Sequence, residues 1–255
     1  MTDKWADLKV RAASALVLIV VGVVAVYLGG VVFALLVTLL TATMVWELAG
    51  LTAPQGPTGM ALAVLAAFCL WFSRSFGTIG LLLLVLPALG FWLTPRRDAG
   101  LLAVYALALM IAGAGFLNLR MHGVWVFVWL VAVVVATDTM GYFAGRMLGG
   151  PKFWPKISPK KTWSGTVAGW IGAGVVGVVF ASLDLVPWSY AVLSPLIALA
   201  GQMGDIVESW IKRRAGAKDS SRLIPGHGGV LDRFDALVGA VLAFQVLGLL
   251  LAGPV

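Results

Sequence analysis

The chain has 255 residues, of which 61% are hydrophobic and only 11% are charged, and its formal net charge is +7. Soluble domains are about half apolar and about a quarter charged, so this composition excludes an ordinary soluble protein, a disordered chain and a nucleic-acid-binding domain of the usual kind. One cysteine and two histidines exclude an intramolecular disulfide and argue against a zinc site built from His and Cys. We therefore expect an all-α, polytopic integral membrane protein, because long runs in lipid must satisfy their backbone hydrogen bonds internally.

The apolar runs between charges and Gly/Pro breaks predict about nine transmembrane helices. A helix needs about 20 mostly apolar residues to cross the hydrocarbon core. The Gly29–Gly30 pair predicts a tight turn between the first two helices. The predicted spans, in chain order, are 13–29, 31–49, 59–73, 76–94, 99–117, 123–144, 164–183, 188–208 and 235–253, of which 59–73 is short.

The basic residues predict the orientation of these spans. With the N-terminus in the cytoplasm, every Lys and Arg of the chain's 18 except Arg74 and Arg120 falls on the inner side. This bias is the one that cytoplasmic loops show in membrane proteins. The net charge therefore indicates topology, together with attraction to anionic lipids, and no nucleic-acid partner is expected.

The charges are concentrated in two segments that face the predicted inner side. Residues 138–161 carry six charges and residues 205–235 carry eleven, while the first five spans have almost no charge except Glu47. We interpret 1–255 as one membrane domain. Residues 1–120 are predicted to be mainly anchoring helices, and 121–255 a catalytic half with its motifs in 138–166 and 201–235.

The segment 201–235 mixes acidic and basic residues at helical spacing. If the eighth span continues past the membrane surface, Asp205, Ser209 and Lys212 share one face, with Glu208 beside it. Asp232 and Asp235 open the last span, and both helix ends meet the same surface, so we expect Asp205 and Asp232 to converge. Carboxylates without His or Cys suit Mg²⁺, and the neighbouring bases suit phosphate, which indicates phosphoryl or nucleotidyl transfer.

The loop Ile224–Gly229 between those acids has two interpretations. Its glycines can leave backbone N–H groups free to bind an anion, with His227 binding phosphate or donating a proton. It can equally be a flexible connector. The alternative for the whole segment is a solvated loop that sets topology, but such a loop does not explain acids at a membrane helix end.

The segment 137–166 holds a second group of candidates. Asp138 lies within the sixth span, where an acid needs a lysine, a cation or water as partner. Ser158–Pro159 is predicted to be a turn, after which Lys160, Lys161 and Thr162 open the seventh span and form a phosphate site with Ser164. Within that span Gly165, Gly169, Ala173 and Gly177 form a smooth face for packing inside the subunit or against a second copy.

These residues resemble the signature of the phosphatidate cytidylyltransferases (CDP-diacylglycerol synthases). The resemblance rests on S-x-x-K-R-x4-K-D from Ser209 to Asp219, followed by H-G-G-x-x-D-R-x-D from His227 to Asp235. The runs from Asp138 to Arg146 and from Ser158 to Thr162 resemble a second block of that family. Many members carry Glu at the position of Ser164, so the resemblance assigns no acidic role there.

The resemblance implies Mg²⁺-dependent transfer of CMP from CTP to phosphatidic acid, giving CDP-diacylglycerol and pyrophosphate in phospholipid biosynthesis. It implies metal binding by Asp205, Asp232 and Asp235, with room for a second cation. Asp205, Asp232, Lys212 and Ser209 are the implied catalytic residues. It also implies a homodimer in some members. The residues expected to bind substrate are Lys160, Lys161, Thr162, Arg213, Lys218, His227 and Arg233.

Two other functions remain open from the sequence. A CTP-dependent polyprenol or dolichol kinase would share the metal and phosphate chemistry but transfer the γ-phosphoryl group. An ion-coupled transporter would place acids near the bilayer midplane and show inverted repeats, and neither is evident. A short chain of this kind fits a bacterial cytoplasmic membrane, with its active site facing the cytoplasm.

Overall fold

The structure is a computed structural model that describes residues 4–53 and 56–251. Its fold is all-α apart from one small hairpin. The first helices are α1 (Lys4–Leu28), α2 (Gly30–Gly50), α3 (Pro57–Ser73), α4 (Gly77–Gly80), α5 (Val85–Leu93) and α6 (Ala99–Met121), with a 3₁₀ turn at Leu81–Leu84 between α4 and α5. There follow α7 (Val124–Leu148), β1 (Lys152–Trp154), β2 (Ser158–Thr162), α8 (Trp163–Ser182), α9 (Ser189–Arg214) and α10 (Leu231–Leu251).

Seven of the described helices are long and apolar enough to cross a membrane, which confirms the all-α polytopic prediction. They are α1, α2 and α6 to α10. The predicted spans 59–73 and 76–94 are also helical, but α3 has 17 residues and the second is divided into α4, the 3₁₀ turn and α5. The count of nine spans and the cytoplasmic N-terminus therefore stay predictions. The orientation count includes Lys4 and Lys9, whose side chains lie outside those described.

The chain divides into two compact units. The first unit comprises Met1–Leu117 and Arg214–Phe234. Its core contains fully buried side chains of α2, α3, α5 and α6, among them Leu48, Leu70, Phe91 and Leu109. The predicted turn between α1 and α2 is present, with Gly29 at a φ of 62° that glycine adopts without steric cost.

The second unit comprises Asn118–Arg213 and Asp235–Val255, and its described helices are joined by close backbone contacts. A Cβ atom added to Gly204 would lie 2.5 Å from the Asp235 carbonyl oxygen. Trp129 of α7 is fully buried, and its indole N–H donates to Ser194 Oγ of α9 at 3.0 Å. These contacts are typical of membrane helices, which associate through small residues and buried hydrogen bonds.

The small-residue face of α8 packs inside the second unit. A Cβ atom on Gly165 would lie 2.5 Å from the Gly141 carbonyl oxygen of α7, and one on Gly169 would lie 3.0 Å from Thr137. Farther along the helix, a Cβ atom on Gly177 would lie 2.7 Å from Ala191 Cα of α9. Of the two interpretations of this face, packing within the subunit is the one observed.

Candidate functional site

Asp205 of α9 lies at the centre of a charged cluster in the second unit. Its Oδ2 atom is 2.5 Å from Lys161 Nζ of β2, and its Oδ1 atom accepts a hydrogen bond from Ser209 Oγ at 3.2 Å. The prediction that Asp205 and Ser209 share a helical face is thus confirmed. The helix also continues to Arg214, as that prediction required.

Lys212 lies on the same helix and forms a buried ion pair. Its Nζ atom is 2.6 Å from Glu208 Oε2, and the two side chains are 11% and 1% exposed. A buried lysine needs such a partner, because an uncompensated charge in an apolar environment is strongly destabilising. Glu208, to which the sequence assigned no role, therefore holds the predicted catalytic lysine.

Two more acids of the second unit belong to the same electrostatic group. Asp235 of α10 interacts electrostatically with Asp205, Lys212 and Asp138. Asp138 of α7 interacts with Lys161 and Asp205. Of the three partners expected for Asp138, a lysine, a cation or water, the structure provides the lysine, Lys161. Three helices and one strand contribute charged groups to a cluster within an otherwise apolar bundle.

The segment before α8 differs from the prediction. Ser158–Pro159 is not a turn, and Lys160 and Lys161 do not begin the helix, because Ser158–Thr162 forms β2 and pairs with β1. The proline is tolerated because a two-stranded sheet consists only of edge strands. Within β2, Lys160 is exposed, whereas Lys161 is partly buried against Asp205.

Thr162 and Ser164 are engaged in local hydrogen bonds. Thr162 Oγ1 accepts a hydrogen bond from the Gly165 backbone N–H at 3.2 Å and is the N-cap of α8. Ser164 Oγ contacts Thr162 Oγ1 and donates to the Gly149 carbonyl oxygen. Both hydroxyls thus have structural partners at the helix start where a phosphate site was predicted.

Asp232 belongs to the first unit and organises the loop that precedes α10. Its Oδ2 atom accepts hydrogen bonds from the backbone N–H groups of Ser220 at 2.9 Å and Gly229 at 2.7 Å. The Ser220 hydroxyl lies 3.0 Å from the same oxygen. Asp232, a predicted metal ligand, therefore has a structural role that sequence spacing did not indicate.

Glu47 of α2 is a functional candidate that the sequence reasoning missed. It is fully buried, and it accepts hydrogen bonds from Ser221 Oγ at 2.6 Å and the Leu231 backbone N–H at 2.7 Å. The signal was present, because Glu47 is the lone acid within the apolar spans of the first half and acids inside membrane helices are usually functional. A helix from the first half of the chain thus forms hydrogen bonds with the segment that connects α9 and α10.

The tip of the loop contacts α1 within the same unit. His227 Nδ1 is 2.8 Å from Ser14 Oγ, and the His227 carbonyl oxygen accepts a hydrogen bond from Arg233 Nε at 2.9 Å. Arg213, Lys218 and Arg233 are exposed. The substrate-binding roles of these residues stay predictions.

The loop is ordered by internal hydrogen bonds, so the expectation of free backbone N–H groups is wrong at two positions. The His227 N–H donates to the Ile224 carbonyl oxygen at 2.9 Å, and the Gly229 N–H donates to Asp232. Gly226 and Gly228 have φ values of 75° and 86°, which turn the chain. The loop therefore has backbone hydrogen bonds of its own, and the anion-binding interpretation stays a prediction.

The described residues contain no group of three or more His, Cys, Asp or Glu side chains placed to hold a metal ion. The carboxylates of Asp205 and Asp235 nevertheless lie in one unit, and their chemistry suits a hard cation. Mg²⁺ commonly binds one or two carboxylates and completes its coordination with substrate phosphates and water. The metal roles of Asp205, Asp232 and Asp235 stay predictions.

Comparison with known proteins identifies the family to which the chain belongs. A model described as the cytidylyltransferase family matches residues 9–251. A Brucella abortus protein named phosphatidate cytidylyltransferase is 46% identical over 157 residues, which is 58% of this chain and 58% of that protein. Proteins of the same name from Haemophilus influenzae and Staphylococcus saprophyticus are 40% and 38% identical over 147 residues each. These alignments cover 52% and 55% of this chain, and 51% and 56% of those relatives. In each case, little more than half of the relative is covered.

Proposed function

Because this chain belongs to the cytidylyltransferase family, we propose that it transfers CMP from CTP to phosphatidic acid. The products are CDP-diacylglycerol and pyrophosphate. The observation that carries this proposal is the cluster around Asp205, where Lys161 and Ser209 meet one carboxylate inside an apolar membrane bundle. Acids and bases in that setting are costly, and they are suited to an anionic headgroup and a nucleotide triphosphate.

The proposed reaction needs little proton chemistry from the protein. A phosphate oxygen of the lipid attacks the α-phosphorus of CTP, a new P–O bond forms, and the bond from the α-phosphorus to the departing pyrophosphate breaks. A phosphate monoester is already largely ionised near neutral pH, so no strong general base is required. Catalysis then depends on positioning two anions and on neutralising the charge that develops on the leaving group.

The lysines of the cluster are suited to that neutralisation. Lys161 and Lys212 are each paired with a carboxylate, Asp205 and Glu208 respectively. A bound triphosphate offers Lys161 a second anionic partner, and Ser209 is a hydroxyl donor on the same face as Asp205. We assign Lys161, Lys212 and Ser209 to phosphate binding and retain Lys160, Thr162, Arg213, Lys218, His227 and Arg233 as further predicted contacts.

We further propose that Mg²⁺ is the cofactor. The oxygen donors of Asp205 and Asp235 fit this cation, and Asp138 interacts electrostatically with both. A metal role of Asp232 is retained from the family resemblance alone. When bound, the cation would offset the negative charge of the substrate phosphates. A second cation and a homodimer are retained as predictions from the family resemblance.

The proposed location is a bacterial cytoplasmic membrane, with the charged cluster facing the cytoplasm. The relatives compared above are bacterial. CTP is cytosolic, and the inward bias of Lys and Arg predicts that the segments 138–161 and 205–235 face that side. The lipid headgroup lies at the same surface, so both substrates can reach the cluster.

The proposal is tested with purified protein in detergent. The protein is mixed with Mg²⁺, phosphatidic acid and CTP labelled in the cytosine ring, and both products are followed. Release of pyrophosphate together with a lipid that carries labelled CMP is the expected result. Release of CDP with a phosphorylated lipid alcohol, when a polyprenol replaces phosphatidic acid, would instead establish the kinase. Failure of both reactions in folded protein would reject nucleotide-dependent lipid transfer.

A further inference from the structure

Glu47 is bonded to two parts of the segment between α9 and α10. Its Oε1 atom accepts hydrogen bonds from Ser221 Oγ at 2.6 Å and the Val230 N–H at 2.9 Å. Its Oε2 atom accepts one from the Leu231 N–H at 2.7 Å and lies 3.2 Å from Ser220 Oγ. One carboxylate thus joins the beginning and the end of the segment 220–231.

The two backbone contacts fall at the start of α10. The first N–H groups of a helix have no partner within the helix, and the positive end of the helix dipole favours a negative charge there. Because α10 begins at Leu231, Glu47 acts as a capping carboxylate supplied by α2. A fully buried carboxylate is stable only if its oxygens are satisfied, and both oxygens of Glu47 are.

Gly229 shows how closely the segment approaches this carboxylate. A Cβ atom at Gly229 would lie 2.5 Å from Glu47 Oε1 and closer still to Ser220 Oγ. A side chain at this position therefore requires a shift of the segment or of Glu47. The contact gives a structural reason for the second glycine of the His-Gly-Gly run.

Asp232 is linked to Glu47 through Ser220. The Ser220 hydroxyl lies between the two acids, 3.2 Å from Glu47 Oε2 and 3.0 Å from Asp232 Oδ2. The N–H groups of Ser220 and Gly229 donate hydrogen bonds to Asp232. Of these two residues, Gly229 is the one packed against the Glu47 carboxylate. Any movement of the segment away from α2 would therefore move Asp232.

We propose that Glu47 is a positioning residue that sets the conformation of the segment 220–231 and, through it, the carboxylate of Asp232. Glu47 touches no reacting atom. Its effect on turnover rests on the proposed function, whereas its effect on the segment does not. Glu47, which lies in one of the helices predicted only to anchor the protein, would thus support catalysis by positioning Asp232.

The substitution Glu47→Gln tests the proposal at nearly constant volume. The amide retains one acceptor oxygen and turns an NH₂ group toward N–H and O–H donors, so about half of the bonds are lost. Thr38→Val is the matched control, because Thr38 is a buried residue of the same helix whose hydroxyl has no hydrogen-bond partner among the described residues. Ser221→Ala is a milder variant that removes one donor to Glu47.

The first measurement is amide hydrogen exchange of the full-length protein in detergent. In Glu47→Gln, peptides covering 220–231 should exchange at least about tenfold faster, while peptides from α3 and α6 keep their rates. Ser221→Ala should give a smaller change in the same peptides. Adding Ser221→Ala to Glu47→Gln should cause less than the sum of the two effects, because the variants remove a shared interaction. Thr38→Val should leave the segment unchanged.

The second measurement is steady-state kinetics of CMP transfer. Glu47→Gln should lower kcat by about tenfold or more and raise the Mg²⁺ concentration that gives half-maximal rate, with Thr38→Val unchanged in both.

Equal exchange in the segment for Glu47→Gln and the unaltered protein would overturn the proposal. Uniformly faster exchange in all helices, or a locally loosened segment with unchanged kinetics, would overturn it as well. If the unaltered protein fails to transfer CMP, the proposed function fails, and the exchange result still decides whether Glu47 holds the segment.

Discussion

Asp205 is oriented by two contacts within the second unit. The Lys161 ammonium lies 2.5 Å from one oxygen, and the Ser209 hydroxyl lies 3.2 Å from the other. The arrangement fixes the direction in which the carboxylate points while leaving it partly exposed. This geometry is expected of a group that must present oxygen atoms to a ligand rather than stabilise the bundle alone.

Replacing Asp205 by Asn should therefore remove activity and preserve the fold. Asn keeps the size of the side chain but loses its charge, so we expect the rate of CMP transfer to fall by about a hundredfold or more. Asp184→Asn is the control, because Asp184 lies in an exposed turn for which the described residues show no ion pair. Transfer rates are compared after size-exclusion chromatography has shown that both variants are folded. A rate within about threefold of the original would exclude an essential role for Asp205.

The contacts of individual residues were predictable only where they are local. The pairing of Asp205 with Ser209 follows from helical spacing, which places positions four apart on one face. The contacts of Glu47 with Ser220 and Ser221 join positions 173 and 174 residues apart, and no periodicity relates them. These contacts of Glu47 can be identified only from the folded structure, because a carboxylate on one helix can cap any helix that packs beside it.

The hairpin of β1 and β2 is the element that determines which lysine faces the cluster. Lys160 and Lys161 are adjacent in β2 but differ in environment, since Lys160 is exposed and Lys161 is partly buried against Asp205. The sequence predicted the importance of both but assigned them to a helix start, because Ser158–Pro159 is typical of a turn that precedes a helix. Pairing with Lys152–Trp154 outweighs that local preference.

The two lysines should therefore differ in their contribution to activity. Lys161→Ala removes the partner of Asp205 and should lower kcat/KM for CTP by about a hundredfold. Lys160→Ala removes an exposed charge and should cost less than about tenfold. Initial rates over a range of CTP concentrations measure both effects. Equal losses for the two variants would show that the difference in burial between the two lysines does not decide which of them binds substrate.

The loop before α6 carries an ion pair whose strength should depend on pH. Arg214 Nη2 donates to Asp98 Oδ1 at 2.7 Å, and this hydrogen bond holds the pKa of Asp98 below its ordinary value. A carboxyl group with a lowered pKa in the folded state contributes stability above its unfolded pKa of about 3.9 and loses it as the pH falls through the folded value. The contribution is small because the pair is exposed.

Asp98→Asn should reveal this dependence in thermal unfolding. At about pH 6 the variant should have a slightly lower Tm than the original protein, and the difference should shrink at low pH, as the pH falls through the lowered pKa of Asp98 in the folded state. Asp184→Asn is again a suitable control, because Asp184 also has a positive φ, of 54° against 57° for Asp98. A Tm difference for Asp98→Asn that does not change with pH would contradict an electrostatic origin.

For the molecule as a whole, the helical regions were predictable and the grouping of helices was not. Long apolar runs have one stable form in lipid, so all nine predicted runs are helical in the described residues. The division of the chain into two compact units was harder to predict from the sequence. Residues 214–234 group with the N-terminal helices through contacts such as that of Glu47 with Leu231. Composition identifies which segments are charged, but only packing determines the helices against which they fold.

The orientation of the molecule is the remaining large-scale prediction, and single cysteines can test it. Cys69 is fully buried and can be replaced by Ala to give a cysteine-free background. Lys156→Cys then marks the loop of the β hairpin, and Asp184→Cys marks the turn after α8, and both positions are exposed. With the N-terminus in the cytoplasm, a membrane-impermeant maleimide should label position 184 in intact bacteria and position 156 only after permeabilisation. The reverse pattern would place the charged cluster on the side away from CTP and would contradict both the positive-inside assignment and the proposed access of the nucleotide.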